Sequence, residues 1–314
     1  MTAERTLRIG TRGSDLALWQ ARRVAGRIHE ALGRPAELVV IATRGDRIQD
    51  VAFHKMEGKG FFTKELQRAL LDGEVDLVVH SLKDLPTEEP EGLVLAAIPE
   101  RADPSDLLLA RPGLLHAGPA DPLGLPEGAV VGTSSLRRAA QVLALRPDLT
   151  LQALRGNVPT RVRKLREGRY DAILLAAAGV RRLGLDLGDL ETVELPPEVM
   201  LPAPGQGALA IETRAGGPVR DLLAALHDGE VARCVTAERR LLQLLGGGCH
   251  LPLGCLATPE PDGALRLQAV LGVVDDGVGS ARVARVGAVG RDPETVAALC
   301  HTALGEALPE AVAP

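Results

Sequence analysis

Lysine is scarce in this chain, five residues against 31 arginines, yet Lys55, Lys59, Lys64 and Lys83 all fall within one short stretch. Lys59 stands in Gly58-Lys59-Gly60-Phe61-Phe62, which gathers glycines and two of the chain's three phenylalanines around a cation. Backbone freedom beside an apolar anchor is the composition of a basic flap that could close over an anion. Lys83 is followed by Asp84 directly after the apolar run Val75–His80. Turn carboxylates commonly do no more than cap their turns. Among cations, however, such a group stays ionised and can stabilise a positive intermediate. The third candidate is Cys249, set between Gly246-Gly247-Gly248 and His250-Leu251-Pro252. Three glycines leave this thiol unshielded and able to reach another surface. It could be a nucleophile or cofactor carrier, or a zinc ligand with His250 and Cys255, although that spacing matches no familiar zinc pattern and a fourth ligand is not evident. No resident metal is expected. Cys234 and Cys300 read as small buried hydrophobes.

Charge points the same way. The whole chain carries 36 basic and 41 acidic side chains, net −5, which argues against a general nucleic-acid binder. Residues 129–182 nevertheless hold 11 basic and 3 acidic side chains, net +8, so the remainder is −13. Aromatic residues make up 2% of the chain, too few for base-stacking platforms, and hydrophobic residues make up 46%, enough for sizeable aliphatic cores. No apolar run approaches the roughly 20 residues that would span a bilayer. The first ten residues show no signal-like apolar core, so a cytoplasmic protein without a membrane partner is expected.

The elements that must position these groups alternate as α/β layers. Strands are expected at Leu7–Gly10, Glu37–Ala42, Val75–His80, Ala129–Gly132, Leu149–Ala153 and Ala172–Ala176, with helices beginning near Ser14, Phe61, Ser134, Asn157 and Val180. The strands end in Thr11-Arg12-Gly13-Ser14, Ser81-Leu82-Lys83-Asp84, Thr133-Ser134-Ser135 and Arg155-Gly156-Asn157, so hydroxyls, glycines and guanidiniums collect at their carboxyl edges. Ligands of open α/β sheets lie outside those edges, where helix N-termini offer free N–H groups to anions. Ser and Asn are also ordinary helix caps, so the repetition, not any single end, suggests an anion-binding cleft.

Arg8-Ile9-Gly10-Thr11 leading to Ser14 recurs in outline as Val130-Val131-Gly132-Thr133 leading to Ser134. Two similar α/β domains follow from that repeat, with boundaries near Pro99–Pro104 and Leu195–Pro204. The last third reads as a small α+β domain: a helix over Leu222–Leu245, a half-buried strand over Leu265–Val273, another near Arg282–Gly287 and a closing helix at Pro293–Leu308. The expected domains are residues 1–102 with 203–221, 103–202, and 222–314.

Several segments together resemble the porphobilinogen deaminase family. They are Thr11–Ala17 (TRGSDLA), Gly58–Leu66 (GKGFFTKEL), His80–Pro86 (HSLKDLP), Gly132–Arg138 (GTSSLRR), Leu154–Val158 (LRGNV), Pro204–Ala208 (PGQGA) and Gly247–Gly254 (GGCHLPLG), in the family's order along almost the whole chain. The resemblance implies two domains like type II periplasmic binding proteins around a cleft, plus a small third domain. It implies a monomeric transferase of tetrapyrrole biosynthesis that joins four porphobilinogen molecules head to tail into hydroxymethylbilane, releasing ammonia, on a dipyrromethane primer attached through Cys249. By match to the motifs, Arg12, Ser14, Lys83, Thr133, Ser134, Ser135, Arg137, Arg138, Arg155, Arg161 and Arg182 would bind the acetate and propionate carboxylates, a task suited to the arginine fork. Lys55, Lys59 and Phe62 would belong to the flap. Asp84 would hydrogen-bond pyrrole N–H groups and stabilise the electron-poor intermediate formed as ammonia leaves. One departure is Ser105, in Asp103-Pro104-Ser105-Asp106, where the family usually has arginine. Two rivals fit parts of the pattern: a non-catalytic anion-binding protein, which leaves Asp84 and Cys249 without a role, and a zinc-dependent regulator built on the C-terminal cysteines.

Overall fold

The computed structural model describes residues 5–43, 63–116, 121–248, 251–274 and 280–312. Among them the strands follow in chain order as β1 Leu7–Thr11, β2 Ala36–Val40, β3 Leu77–Ser81, β4 Leu93–Ala97, β5 Asp106–Ala110, β6 Val130–Gly132, β7 Thr150–Gln152, β8 Ala172–Ala176, β9 Glu191–Leu195, β10 Leu209–Arg214, β11 Leu253–Pro259, β12 Leu265–Val274 and β13 Ala281–Gly290. The chain divides into two compact units, Met1–Ala102 with Gly207–Ala232, and Asp103–Gln206 with Arg233–Pro314.

In the first unit β2, β1 and β3 are parallel, and β10 runs antiparallel between β3 and β4, giving the order β2-β1-β3-β10-β4. The helix Asp15–Leu32 covers one face because Ala21, Val24 and Ile28 fall on one stripe. It starts at Ser14, whose side chain accepts from Ala17 N, and stops at Gly33, whose φ of 65° few other residues adopt. Its buried stripe meets Leu7, Ile9, Leu77, Val79, Leu209 and Ile211. The opposite face carries Val75, Val78 and Leu93 against Leu66 and Leu70 of the helix Lys64–Leu71.

The second unit contains a sheet of order β7-β6-β8-β5-β9, again with one antiparallel strand, β5, next to the last. Both five-stranded sheets therefore read second, first, third, incoming, fourth. The incoming strand is the one formed just after the chain crosses from the other unit, β10 in one sheet and β5 in the other. This common topology is the physical content of the sequence repeat. Its two glycines are demanded by packing: a Cβ at Gly10 would come within 3.1 Å of the Val75 and Val78 methyls, and one at Gly132 within 2.8 Å of the Tyr170 ring.

Strands β4, β5, β9, β10 and β11 are not among those expected from the pattern. The first four flank proline-containing stretches that read as boundaries, and β5, wholly buried, has no alternation to reveal it. The crossing back falls at 206/207 and not at 203 because Gln206 Nε2 still donates to Pro104 O at 2.6 Å and to Asp106 Oδ1 at 2.9 Å.

The C-terminal layer is a β11-β12-β13 antiparallel meander with the helices Gly229–Leu244 and Pro293–Ala307. Its core, including Leu241, Leu253, Leu267, Leu271, Val296 and Leu304, is its own. It falls in the same unit as the second sheet: Gly272 lies so close to Ala140 of the helix Leu136–Leu145 that a Cβ would approach within 2.5 Å. Arg285 of β13 also donates to Pro197 O and Val199 O.

Candidate active site

The carboxyl edge of the first sheet brings two of the expected groups into defined positions. β1 ends at buried Thr11, whose hydroxyl donates to Ala17 O at 3.1 Å and so ties the strand end to the first helical turn. Half-buried Arg12 follows, then Ser14, whose oxygen is engaged as the helix cap at 3.4 Å from Ala17 N. β3, parallel to β1, ends at Ser81 and passes into a single 3-10 turn, Leu82–Asp84. That turn is held by Leu82 N donating to Ala208 O at 3.0 Å and by Gln20 Nε2 donating to Ser81 Oγ at 2.7 Å. Lys83 is half-buried on it, and Asp84 is exposed, with no hydrogen bond or ion pair among the described residues.

At the second sheet, Thr133, Ser134 and Ser135 follow β6. Thr133 Oγ1 accepts from Ser135 N at 3.2 Å, Ser134 donates to Leu154 O at 2.8 Å, and Ser135 caps the helix Leu136–Leu145. After β7 comes half-buried Arg155, then Asn157, whose side chain caps the helix Val158–Arg166. Arg161 folds its Nε back onto Gly156 O at 2.7 Å, and Lys164 donates to Arg155 O at 3.0 Å, so the LRGNV loop is braced by its own helix. Arg182 lies half-buried in the last turn of the helix Ala177–Leu183.

Arg137 and Arg138 differ from the strand-edge picture. Both are buried, and both end on Asp106, at 2.6 Å and 2.7 Å. Arg137 also donates to Leu201 O, and Arg138 to Leu174 O. Burial alone would push the Asp106 carboxyl up. The charges and hydrogen bonds of the two guanidiniums outweigh it and hold this carboxyl well below the usual range. The nearest carboxylate to these arginines is thus the chain's own. What each retains is a buried Nε–H with no acceptor among the described residues.

Ser105 is accommodated without the usual arginine. Its N–H donates to Asp103 Oδ1 at 2.8 Å and its hydroxyl to Glu194 Oε1 at 3.2 Å, while Arg181 bridges Asp103 and Glu194 and supplies the cation. Although burial opposes it, the hydrogen bonds from Ser105 and Arg181 bring Asp103 down to about 2.

Lys55, Lys59, Phe62, Cys249 and His250 lie outside the described residues. The other three thiols are buried. Cys255 donates to Glu238 O at 3.9 Å, and Cys300 to Leu267 O at 3.5 Å, burial pushing the latter up to about 11. Such thiols are poor nucleophiles and poor metal ligands. Among the described residues no cluster of three His, Cys, Asp or Glu could hold a metal, and no helix is long and apolar enough to cross a membrane.

The sequence pattern missed Asp106 and a second buried carboxylate, Glu212. Each is a lone acidic residue at or in an apolar run, Asp106-Leu-Leu-Leu-Ala110 and Leu209-Ala-Ile-Glu212, a usable signal once those runs are recognised as strands.

Residues 7–219 match the family model described as porphobilinogen deaminase, dipyromethane cofactor binding domain, and residues 232–307 match that of the porphobilinogen deaminase C-terminal domain. A porphobilinogen deaminase of Paenibacillus macerans is 48% identical over 267 residues, 83% of this chain and 80% of the relative. One from Nitratidesulfovibrio vulgaris is 51% identical over 279 residues, 88% of this chain and 84% of the relative. Among solved structures, an ancestral cationic amino acid solute binding protein aligns over 70% of this chain and 87% of its own, with 16% identity and a TM-score of 0.45. With both domain models matched in order and relatives near half identity over most of their length, the chain belongs to the porphobilinogen deaminase family.

Proposed function

We propose that Asp84 is the catalytic carboxylate of this enzyme, Cys249 its point of cofactor attachment, and the cationic and hydroxyl groups at the two sheet edges its carboxylate binders. The reaction itself is that of the family: porphobilinogen units are joined head to tail into linear hydroxymethylbilane with loss of ammonia, on a dipyrromethane cofactor. When bound, the dipyrromethane supplies a covalent two-ring primer rich in carboxylates. The donor set suits such a group: guanidiniums, hydroxyls and capped helix N-termini recur at the edges, and Arg137 and Arg138 each keep a buried Nε–H with no protein acceptor among the described residues.

Each remaining role is assigned to side chains of this chain. Arg12, Ser14 and Lys83, and Thr133, Ser134, Ser135, Arg155, Arg161 and Arg182, hold acetate and propionate groups. Arg137 and Arg138, already anchored on Asp106, join them through Nε–H. Positive charge develops on the substrate as ammonia leaves and again as the carbon–carbon bond forms, and a cationic surface opposes it. A fixed carboxylate beside the pyrrole nitrogens offsets that charge at no reorganisation cost. The observation that carries the assignment is Asp84 itself, a carboxylate exposed on a braced turn beside Lys83 and committed to no described partner. Burial of Cys234, Cys255 and Cys300 supports Cys249 as the attachment thiol. The same reading has the enzyme act in the cytoplasm as a monomer that binds no nucleic acid, with Lys55, Lys59 and Phe62 covering the bound substrate. Sedimentation of the loaded enzyme tests the oligomeric state.

Turnover of cofactor-loaded Asp84→Asn should fall by more than about 100-fold, the scale of losing one preorganised electrostatic group. Asp84→Glu should retain more activity, because it keeps the charge while displacing it. Near-normal turnover by Asp84→Asn would show that the charge is supplied elsewhere.

A further inference from the structure

Glu212 of β10 is 2% exposed, on the sheet face where Val78 and Leu93 pack against Leu66 and Leu70 of the helix Lys64–Leu71. Its Oε2 lies 3.1 Å from His80 Nε2, and its Oε1 accepts from Gln67 Nε2 at 2.9 Å. Three elements, β3, β10 and the helix Lys64–Leu71, therefore converge on one buried carboxylate. The register explains the His80 contact: Ala210 is opposite His80 and Glu212 opposite Val78, so His80 and Glu212 are diagonal neighbours on one face. The pairing of β10 with β4 also slips between Ile211 and Glu212, a local irregularity at the residue that carries the carboxyl group. Such irregularities re-aim side chains beside functional sites.

For packing alone a carboxylate is a poor choice here. An apolar side chain of similar volume would fill the site without the desolvation cost that a buried charge carries. What the carboxylate adds is a bond to His80, the penultimate residue of β3, four residues before Asp84. Asp84 has no side-chain tie of its own among the described residues, so its position is set wholly by the backbone beneath it. That backbone is held from three directions: Gln20 on Ser81, Ala208 O on Leu82 N, and Glu212 on His80.

We infer that Glu212 is a positioning residue for the reaction, acting through His80 to hold the end of β3 and hence the turn that presents Asp84. The inference rests on the reading of Asp84 given above. It separates Glu212 from the catalytic residues: Glu212 touches no substrate, and its effect vanishes when Asp84 has no charge to place.

The experiment is a double-mutant cycle on cofactor-loaded enzyme: wild type, Glu212→Leu, Asp84→Asn and the double variant, with Glu212→Gln alongside. Glu212→Leu should carry the full cofactor mass and bind porphobilinogen with KM within about twofold, while kcat falls by about 10- to 100-fold, the cost of a misplacement on the order of 1 Å. Glu212→Gln, which can still bond to both neighbours, should restore most of kcat. The double variant should be no slower than Asp84→Asn alone, because there is no longer a charge to misplace. A carboxylate with a merely structural role would shift the melting temperature and leave kcat of the loaded enzyme unchanged. A normal kcat in Glu212→Leu, or losses that multiply in the double variant, would overturn the inference. Near-normal turnover by Asp84→Asn would overturn the reading of Asp84 and this inference with it. A large Asp84→Asn loss beside a normal Glu212→Leu kcat would overturn this inference alone. His80→Leu, which cannot bond Glu212 but leaves the Gln67–Glu212 bond in place, is carried through the same cycle with the same expected outcomes, so that poor folding of the Glu212→Leu variant does not protect the inference from refutation.

Discussion

Replacing Asp106 by Asn should destabilise the second unit by an amount that the geometry bounds. Asp106 is fully buried and receives Arg137 at 2.6 Å, Arg138 at 2.7 Å and Gln206 Nε2 at 2.9 Å. An amide there keeps one acceptor oxygen and turns an NH2 group toward guanidinium donors. At least one charge-assisted bond is lost, worth about 1.5–3 kcal/mol, and two buried cations are left without a counter-charge. Breaking a buried ion pair from one side typically costs about 3–5 kcal/mol, a large part of the ~5–15 kcal/mol that holds a folded domain together. Urea unfolding followed by circular dichroism should therefore show a clear fall in midpoint for Asp106→Asn and almost none for Asp84→Asn, whose side chain is exposed. The comparison rests on midpoints alone, since two units need not unfold in one step. The effect also has a signature in pH. The folded-state pKa of Asp106 is lowered from 3.8, so its contribution is complete above that value and is lost as pH falls below it. Asp103, brought down to about 2, acts in the same direction between about pH 4 and pH 2. Wild type should lose stability below about pH 4, and Asp106→Asn should lose less over the same interval. An unchanged midpoint, or identical acid profiles, would refute the account of Asp106 as the counter-charge of the arginine pair.

Peptide mapping of the native enzyme should place two pyrrole rings' mass on the peptide containing Cys249, while Cys234, Cys255 and Cys300 react with an alkylating agent only after unfolding; an adduct on any of these three would sink the attachment proposal. Arg155→Leu should remove a charge-assisted bond worth about 1.5–3 kcal/mol to a bound carboxylate, so that cofactor loading or elongation fails with little change in melting temperature. Normal loading and turnover would make this arginine a solvated surface group. Gly132→Ala should cost about 1–3 kcal/mol, because its new methyl would meet the Tyr170 ring at 2.8 Å and Ile173 at 3.0 Å, and it should cost more than Gly10→Ala, whose nearest contacts are methyls at 3.1 Å. Thermal melts of the two variants settle the order.

How much of this was legible in the sequence depended on whether a residue's neighbours lie near it along the chain. The caps at Ser14 and Asn157, each bonded within three residues, follow from local pattern, and the helix expected near Ser134 is capped one residue on, at Ser135. Lys83 and Asp84 could be placed at a strand end because the apolar run before them is long and the turn begins at once. The incoming strands β5 and β10 were not legible, since each pairs with residues far off in sequence. Asp106 meets Arg137 31 positions away, and Glu212 meets His80 132 positions away. For the same reason GTSSLRR suggested two arginines facing a ligand, when the fold had first to bury and neutralise them.

Three carboxylates in this chain show how burial divides the work among acidic groups. Asp106 is surrounded by guanidiniums and has no access to solvent, so it fixes their positions and cannot answer charge that appears elsewhere. Glu212 is also buried but faces Gln67 and His80, the latter on the strand that leads into the Asp84 turn. Asp84 alone of the three is exposed and without a partner among the described residues. An ion pair with Lys83 would stabilise the resting enzyme and weaken its interaction with a cationic transition state by a comparable amount, since only interactions stronger in the transition state accelerate the reaction. Substituting the two buried groups should thus act on stability or placement, whereas substituting Asp84 should act on the chemical step. That asymmetry follows from what each carboxylate meets: two guanidiniums for Asp106, His80 and Gln67 for Glu212, and solvent for Asp84.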